Sequence, residues 1–210
     1  MTTSPGTLVV IMVVAGLLPF ALVMLTSFVK MAVVLSIVRS AMGTPQVPPN
    51  SVITGLALVL SFVVMAPVAY EVGDHLKNAE KVFSDGSVSE IFEVVSKASE
   101  PVKRFLKTHA QPQHLEEFSQ MLNEASDEEG PSWKVLVPAF VISQLHEAFR
   151  MGFVIFLPFL VLDMLIASVL LSLGMHMLSP TTISLPFKLL LFVFADGWTL
   201  IGANLLGTYL

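Results

Sequence analysis

The sequence predicts an all-α membrane protein with about four hydrophobic helices in two hairpins and a helical extramembrane insertion between them. Three observations predict it. Of the 210 residues, 54% are hydrophobic and 13% charged, with a mean hydropathy of +0.79, whereas soluble domains carry about 25% charged residues. The charges are segregated: residues 71–134 hold 13 of the 16 acids and 7 of the 11 bases. The flanking stretches contain uncharged runs of 20 residues or more, long enough to cross a hydrocarbon core of about 30 Å. The same figures exclude other classes. A net charge of −5 leaves no basic surface for nucleic acid. The absence of cysteine removes disulfides, Cys-zinc sites, iron–sulfur clusters and thiol nucleophiles.

The first hairpin is expected within residues 8–70. Leu8 to Val29 is 22 residues without a charge, about 33 Å as a helix. It is interrupted by Pro19, and its apolar pattern continues past Lys30 to Val38. Met1–Thr7 has no base and no A-x-A site follows the run, so a cleaved signal peptide is disfavoured. Gly43, Pro45, Pro48 and Pro49 make Arg39–Asn50 a turn. Ser51 to Tyr70 is the second uncharged run, with Pro67 near its end.

Residues 71–134 read as a polar helical insertion. Asp85-Gly86 is a stop signal, and Ser87-x-x-Glu90 is a candidate capping box. Ile91, Val94, Val95, Ala98, Val102, Phe105 and Leu106 keep a helical period. Pro101 is expected to split this stretch and Pro112 to end its second piece. Leu115, Phe118, Met121, Leu122 and Ala125 form a further stripe, and the acidic run to Pro131 closes the region as a solvated loop.

The second hairpin is expected within residues 135–210. Val135 to Phe149 is short and apolar, and Met151 to Met177 is apolar around a single Asp163. Ser179-Pro180 marks a turn, and Ile183 to Leu210 is apolar except for Lys188 and Asp196. The positive-inside bias of Lys30, Arg39 and Lys188 places the two short turns in the cytoplasm, with the insertion and both termini on the outer side.

The intramembrane charges are the first functional candidates. A charge at mid-span costs about 2.5–3.5 kcal/mol, and each Leu or Ile returns only about 0.3–0.6. Asp163, Lys188 and Asp196 therefore need partners or water. Lys188 and Asp196 lie about 12 Å apart along one straight helix, too far to pair, which makes Asp163 the first candidate partner for Lys188. The alternatives are a packing ion pair, an ion pathway or snorkelling of Lys188. His146-Glu147 begins like a zinc-protease H-E-x-x-H, but Arg150 stands where the second His belongs. No metal, cofactor or catalytic constellation is expected, and the protein is read as not an enzyme. Met175-His176-Met177, at a hairpin tip, reads as an interfacial cluster or a pore lining.

Several ordered stretches resemble one family: TSFVKMAVVLS (26–36), GTPQVPPN (43–50), GLAL (55–58), VMAP (64–67), LVPAFVIS (136–143), GFVIFLPFLVLD (152–163), MLSP (177–180), ISLPFKLLLF (183–192) and Asp196-Gly197-Trp198. They resemble the R subunit of the type III secretion export apparatus and its flagellar relative FliP. The N-terminus, short and without a signal peptide, looks more like the secretion branch. The resemblance implies a multi-pass subunit of the bacterial inner membrane. Five copies join S-like and T-like subunits into a gate within the larger export gate and basal-body rings, and unfolded secreted proteins pass through it. It also implies that residues 71–134 are periplasmic and that the hairpins are largely lifted out of the bilayer. A methionine-rich gasket near residues 174–180 would map onto Met175, His176 and Met177. A His stands where that family usually has a third Met, so a ring of His176 would be less apolar and would repel itself on protonation. Asp163, Lys188 and Asp196 become assembly or gate-stabilising charges. The alternative function is a small-solute or ion channel, or a secondary-transporter subunit, using Asp163 and Lys188 at the midplane.

Overall fold

A computed structural model describes residues 12, 13, 16, 19, 20, 23–44, 46–77, 88–124 and 130–210. Among them the chain is all-α with no extended strand, as the composition predicts. The bounded helices are α1 (Phe28–Ala41), α2 (Asn50–Lys77), α3 (Val88–His109), α4 (Pro112–Leu122), α5 (Trp133–Ser172), α6 (Pro180–Phe194) and α7 (Gly197–Gly207). Part of the Leu8–Val29 run, including the two residues just before Pro19, lies outside the described residues. So do the Asp85-Gly86 stop, the Ser87 end of the candidate capping box and most of the acidic run 125–129. The helix boundary that is described falls at Leu25–Ser27, where the Phe28 amide donates to Thr26 Oγ1 at 3.3 Å.

The chain divides into two compact units, one of residues 30–64 with 145–210 and one of residues 1–29 with 65–144. In the first, α1 buries Met31, Val34, Leu35 and Val38. Gly43, at φ +75°, lets the chain leave α1, and Thr44 Oγ1 donates to the Val47 carbonyl at 2.6 Å. Arg39 then bonds Asn50 Oδ1 and the Pro48 carbonyl, fastening the start of α2. In the second unit, α3 and α4 meet at a corner held by α5. The Gln111 amide donates to Ser143 Oγ at 2.8 Å, and Gln144 Nε2 donates to the His109 carbonyl at 2.8 Å. These bonds occupy backbone groups that the ends of α3 and α4 would otherwise leave unpaired. Phe105 packs against Phe140 and His109, with Leu106, Leu136 and Ala139 buried beside them.

Three boundaries differ from those read in the sequence. Pro101 does not split α3, which runs through it to His109, and α2 likewise continues past Pro67 to Lys77. A proline costs one backbone bond and a clash at i−4, which a long helix can absorb by bending. The runs 135–149 and 151–177 are one helix: α5 has 40 residues and is about 60 Å long. His146-Glu147 carries charge but no helix-breaking residue, so nothing interrupts the backbone there. The last apolar run is instead two helices, α6 and α7, bent by 60° at a short break. Among the described residues two helices are long and apolar enough to cross a membrane, or three if the bent pair counts as one span; the first of the about four expected segments lies partly outside those residues.

Close approach of α1 to α5 requires glycine at position 152. A Cβ built there would lie 2.4 Å from Ile37 Cδ1 and 3.2 Å from Ile37 Cβ. Ile is stiff at χ1, so the β-branched side chain cannot swing clear. Gly152→Ala is expected to cost about 1–3 kcal/mol, seen as a lower thermal unfolding midpoint in detergent. Adding Ile37→Ala to the same chain should recover much of that loss.

Candidate functional site

The charges of the second apolar half are organised by the α5–α6 pair. Ser184 and Lys188 are four residues apart and therefore share one face of α6. Opposite them, on α5, stands Asp163. Lys188 Nζ donates to Asp163 Oδ2 at 2.6 Å, and Ser184 Oγ donates to Asp163 Oδ1 at 2.5 Å. A third contact links the cluster to α1, because Lys188 Nζ also donates to the Ala41 carbonyl at 3.3 Å. The lysine is 4% exposed, while the Asp163 side chain keeps 29% of its surface. The ammonium is thus the more deeply buried partner.

Asp196 takes no part in this cluster. It lies beyond the end of α6, adopts the left-handed region at φ +47°, and sits at the N-cap of α7. Its Oδ1 accepts from Thr199 Oγ1 at 3.1 Å. A carboxylate at a helix N-terminus is favoured by the positive end of the helix dipole. Behind it, Gly197 admits the Phe192 ring, since a Cβ at 197 would meet that ring at 2.3 Å. Trp198 packs edge-on against the same ring at 5.1 Å. Asp196 and Gly197 therefore shape the bend between α6 and α7.

The methionine loop joins α5 to α6. Gly174 turns at φ +72°, and the Met175 amide donates to the Leu170 carbonyl at 2.9 Å. This is the 6→1 bond of a Schellman ending. Pro180 opens α6 at its first position, where its missing N–H costs nothing. Between these firm ends Met175, His176 and Met177 are all exposed, Met177 fully so at 100%. No side chain of the loop reaches the Asp163–Lys188 pair in this arrangement.

One pair was not anticipated from the sequence. Lys30, 1% exposed, donates to Glu147 Oε2 at 2.5 Å. The insertion cost that marks Lys188 applies equally to Lys30. Matching the four bases of the apolar segments to their three acids would have drawn attention to Glu147.

The ion pair predicts an asymmetry. Removing one partner of a buried pair costs about 3–5 kcal/mol when the other charge stays buried. Asp163→Ala should therefore lower the unfolding midpoint more than Lys188→Ala, because the partly exposed Asp163 can turn to water and the ammonium cannot. The double change Asp163→Leu with Lys188→Met should cost less than Asp163→Ala alone. Thermal unfolding of the detergent-solubilised variants checks all three.

Comparison with known proteins bears on what this arrangement serves. The FliP family profile matches residues 11–205. The chain is 44% identical to the Yop proteins translocation protein R of Yersinia pestis, over 96% of this chain and 95% of that protein. It is 43% identical to the flagellar biosynthetic protein FliP of Bacillus subtilis, over 99% of this chain and 93% of that one. It is 42% identical to the virulence protein YscR of Salmonella typhimurium, over 98% and 97% of the two chains. Flagellar and virulence-associated proteins thus lie at nearly equal identity.

Proposed function

The chain belongs to the FliP family, and we propose that it is a core channel-forming subunit of the inner-membrane export gate of a type III protein secretion system. In this reading about five copies assemble with smaller S-like and T-like subunits, and unfolded substrate proteins pass along the central channel. The gate sits within the larger export gate and basal-body rings. Residues 71–134 face the periplasm. The driving force is supplied by partners.

The observation that carries the reading is the methionine loop on its charge-locked hairpin. Met175 and Met177 are exposed on a loop whose two ends are firmly terminated. Methionine side chains are apolar, flexible and polarizable. A ring of such loops closes against small solutes and still yields to a passing chain. Asp163, Lys188 and Ser184 hold the legs of the hairpin in register, and Asp196 shapes its far end. The names of the relatives, which speak of protein translocation and flagellar biosynthesis, support an export role over a solute-transport one.

Native mass spectrometry tests the assembly. The protein expressed with its genomic neighbours should give a five-copy ring that gains small hydrophobic partners. A monomer or dimer indifferent to those neighbours would overturn the proposal and favour a small-solute channel or transporter built around Asp163 and Lys188. Lys188→Ala should reduce both ring formation and secretion, and normal secretion by that variant would remove the proposed role of the ion pair.

The loop has its own test. His176→Met should tighten the closed gate, so that ion leak through the reconstituted assembly falls. The parent should leak more at pH 5.5 than at pH 8, because imidazolium side chains crowded into one ring repel one another. Equal leak at both pH values in both proteins would dismiss His176 as a gate residue.

A further inference from the structure

Lys30 is the most thoroughly enclosed charged side chain among the described residues. Its ammonium has three partners drawn from two separate stretches. Glu147 Oε2 of α5 accepts at 2.5 Å, and Thr208 Oγ1 accepts at 3.2 Å. The Tyr209 ring lies beneath Nζ, 4.1 Å from the ammonium to the ring centroid. On the helix that carries it, Met31 and Val34 of α1 are fully buried. Two of the three polar or π partners come from consecutive residues of the turn that follows α7.

This turn is built to present them. Thr208 caps α7, its hydroxyl also donating to the Leu205 carbonyl at 2.8 Å, and Leu205 is fully buried. The hydroxyl can therefore donate to Leu205 and accept from Lys30 at once. With its proton committed to the carbonyl, the lone pairs of Thr208 Oγ1 point toward a donor. A cation over an aromatic face gains about 0.5–2 kcal/mol, with the larger value where both are desolvated.

We propose that Thr208 and Tyr209 act as an internal ligand for the buried Lys30 ammonium, forming a clasp that ties the end of α7 to α1 and α5. The turn after α7 then has a defined task in the fold of this unit. It completes the coordination of a charge that Glu147, itself one-third exposed, satisfies on one side alone. The inference is independent of the export reading, since it concerns the folding of one chain.

Suppression analysis on the full-length protein in detergent tests it. Glu147→Gln, Thr208→Val and Tyr209→Leu should each lower the unfolding midpoint, the first and last by about 5 °C. Tyr209→Phe should retain most of the midpoint, because the ring face remains. Lys30→Met removes the charge that the clasp serves. In a Lys30→Met chain, Thr208→Val and Tyr209→Leu should lose at least half of their effect. Undiminished losses in that background would overturn the proposal and reduce Tyr209 to apolar packing. Equal loss from Tyr209→Phe and Tyr209→Leu would overturn the cation–π contact. If Lys30→Met does not accumulate, the double change Glu147→Gln with Tyr209→Leu decides: partners of one ammonium give a non-additive loss, and strict additivity rejects the clasp.

Discussion

A buried ammonium must be matched, and that constraint organises the apolar half of this protein. Lys188 lies 4% exposed on α6, where the effective penalty for an unpaired ion is several kcal/mol. Only a carboxylate on a facing helix can offset it, because along α6 the next acid is Asp196, beyond the helix end. Asp163 supplies it, Ser184 fills the second carboxylate oxygen, and the Ala41 carbonyl takes another ammonium proton. One charge thereby fixes the facing of α5 on α6 and the position of the turn after α1. Apolar burial is non-directional, so it specifies such a register less sharply than a charge that must meet one carboxylate.

The apolar surface that remains has to be covered by something outside the chain. The most hydrophobic stretch of α5 is only 11% buried within the protein, and Phe153, Val154, Val161, Met164 and Leu165 stand exposed along it. Exposed apolar area on this scale marks a membrane or protein interface. At about 60 Å, α5 is twice as long as a hydrocarbon core is thick. One end of it must therefore meet protein or water, and its first three turns do meet the unit of α3 and α4, Phe140 against Phe105 and Ser143 against the Gln111 amide.

Much of this was legible in the sequence, for a physical reason. Charge segregation is a direct record of solvent, and it marks one polar stretch between two apolar ones from position alone. Asp163 and Lys188 were legible because an isolated intramembrane charge is too costly to leave alone. What failed was the reading of boundaries. Pro101 looked like a break, yet it removes one bond from a long helix that runs through it. His146-Glu147 fell at the end of the short apolar run 135–149, yet charge does not end a helix, and Glu147 turned out to face Lys30. The bend at Asp196 was hidden because its cause is the fit of the Phe192 ring against Gly197, a contact with no periodic signature.

The placement of the ion pair relative to the methionine loop gives the hairpin its mechanical character. Asp163 lies nine residues before the end of α5, and Lys188 eight residues after the start of α6. At 1.5 Å per residue both are about 12–13 Å below the loop, so the pair bridges the two legs at one level. A register slip of a single turn, about 5.4 Å, would break the 2.6 Å contact and tilt the tip. While the pair holds, Gly174 and Pro180 leave the connecting residues few places to go, and the methionines are presented at a fixed height. Met175 and Met177 thus stand exposed on a loop whose two legs are bridged by an ion pair more than two helical turns away.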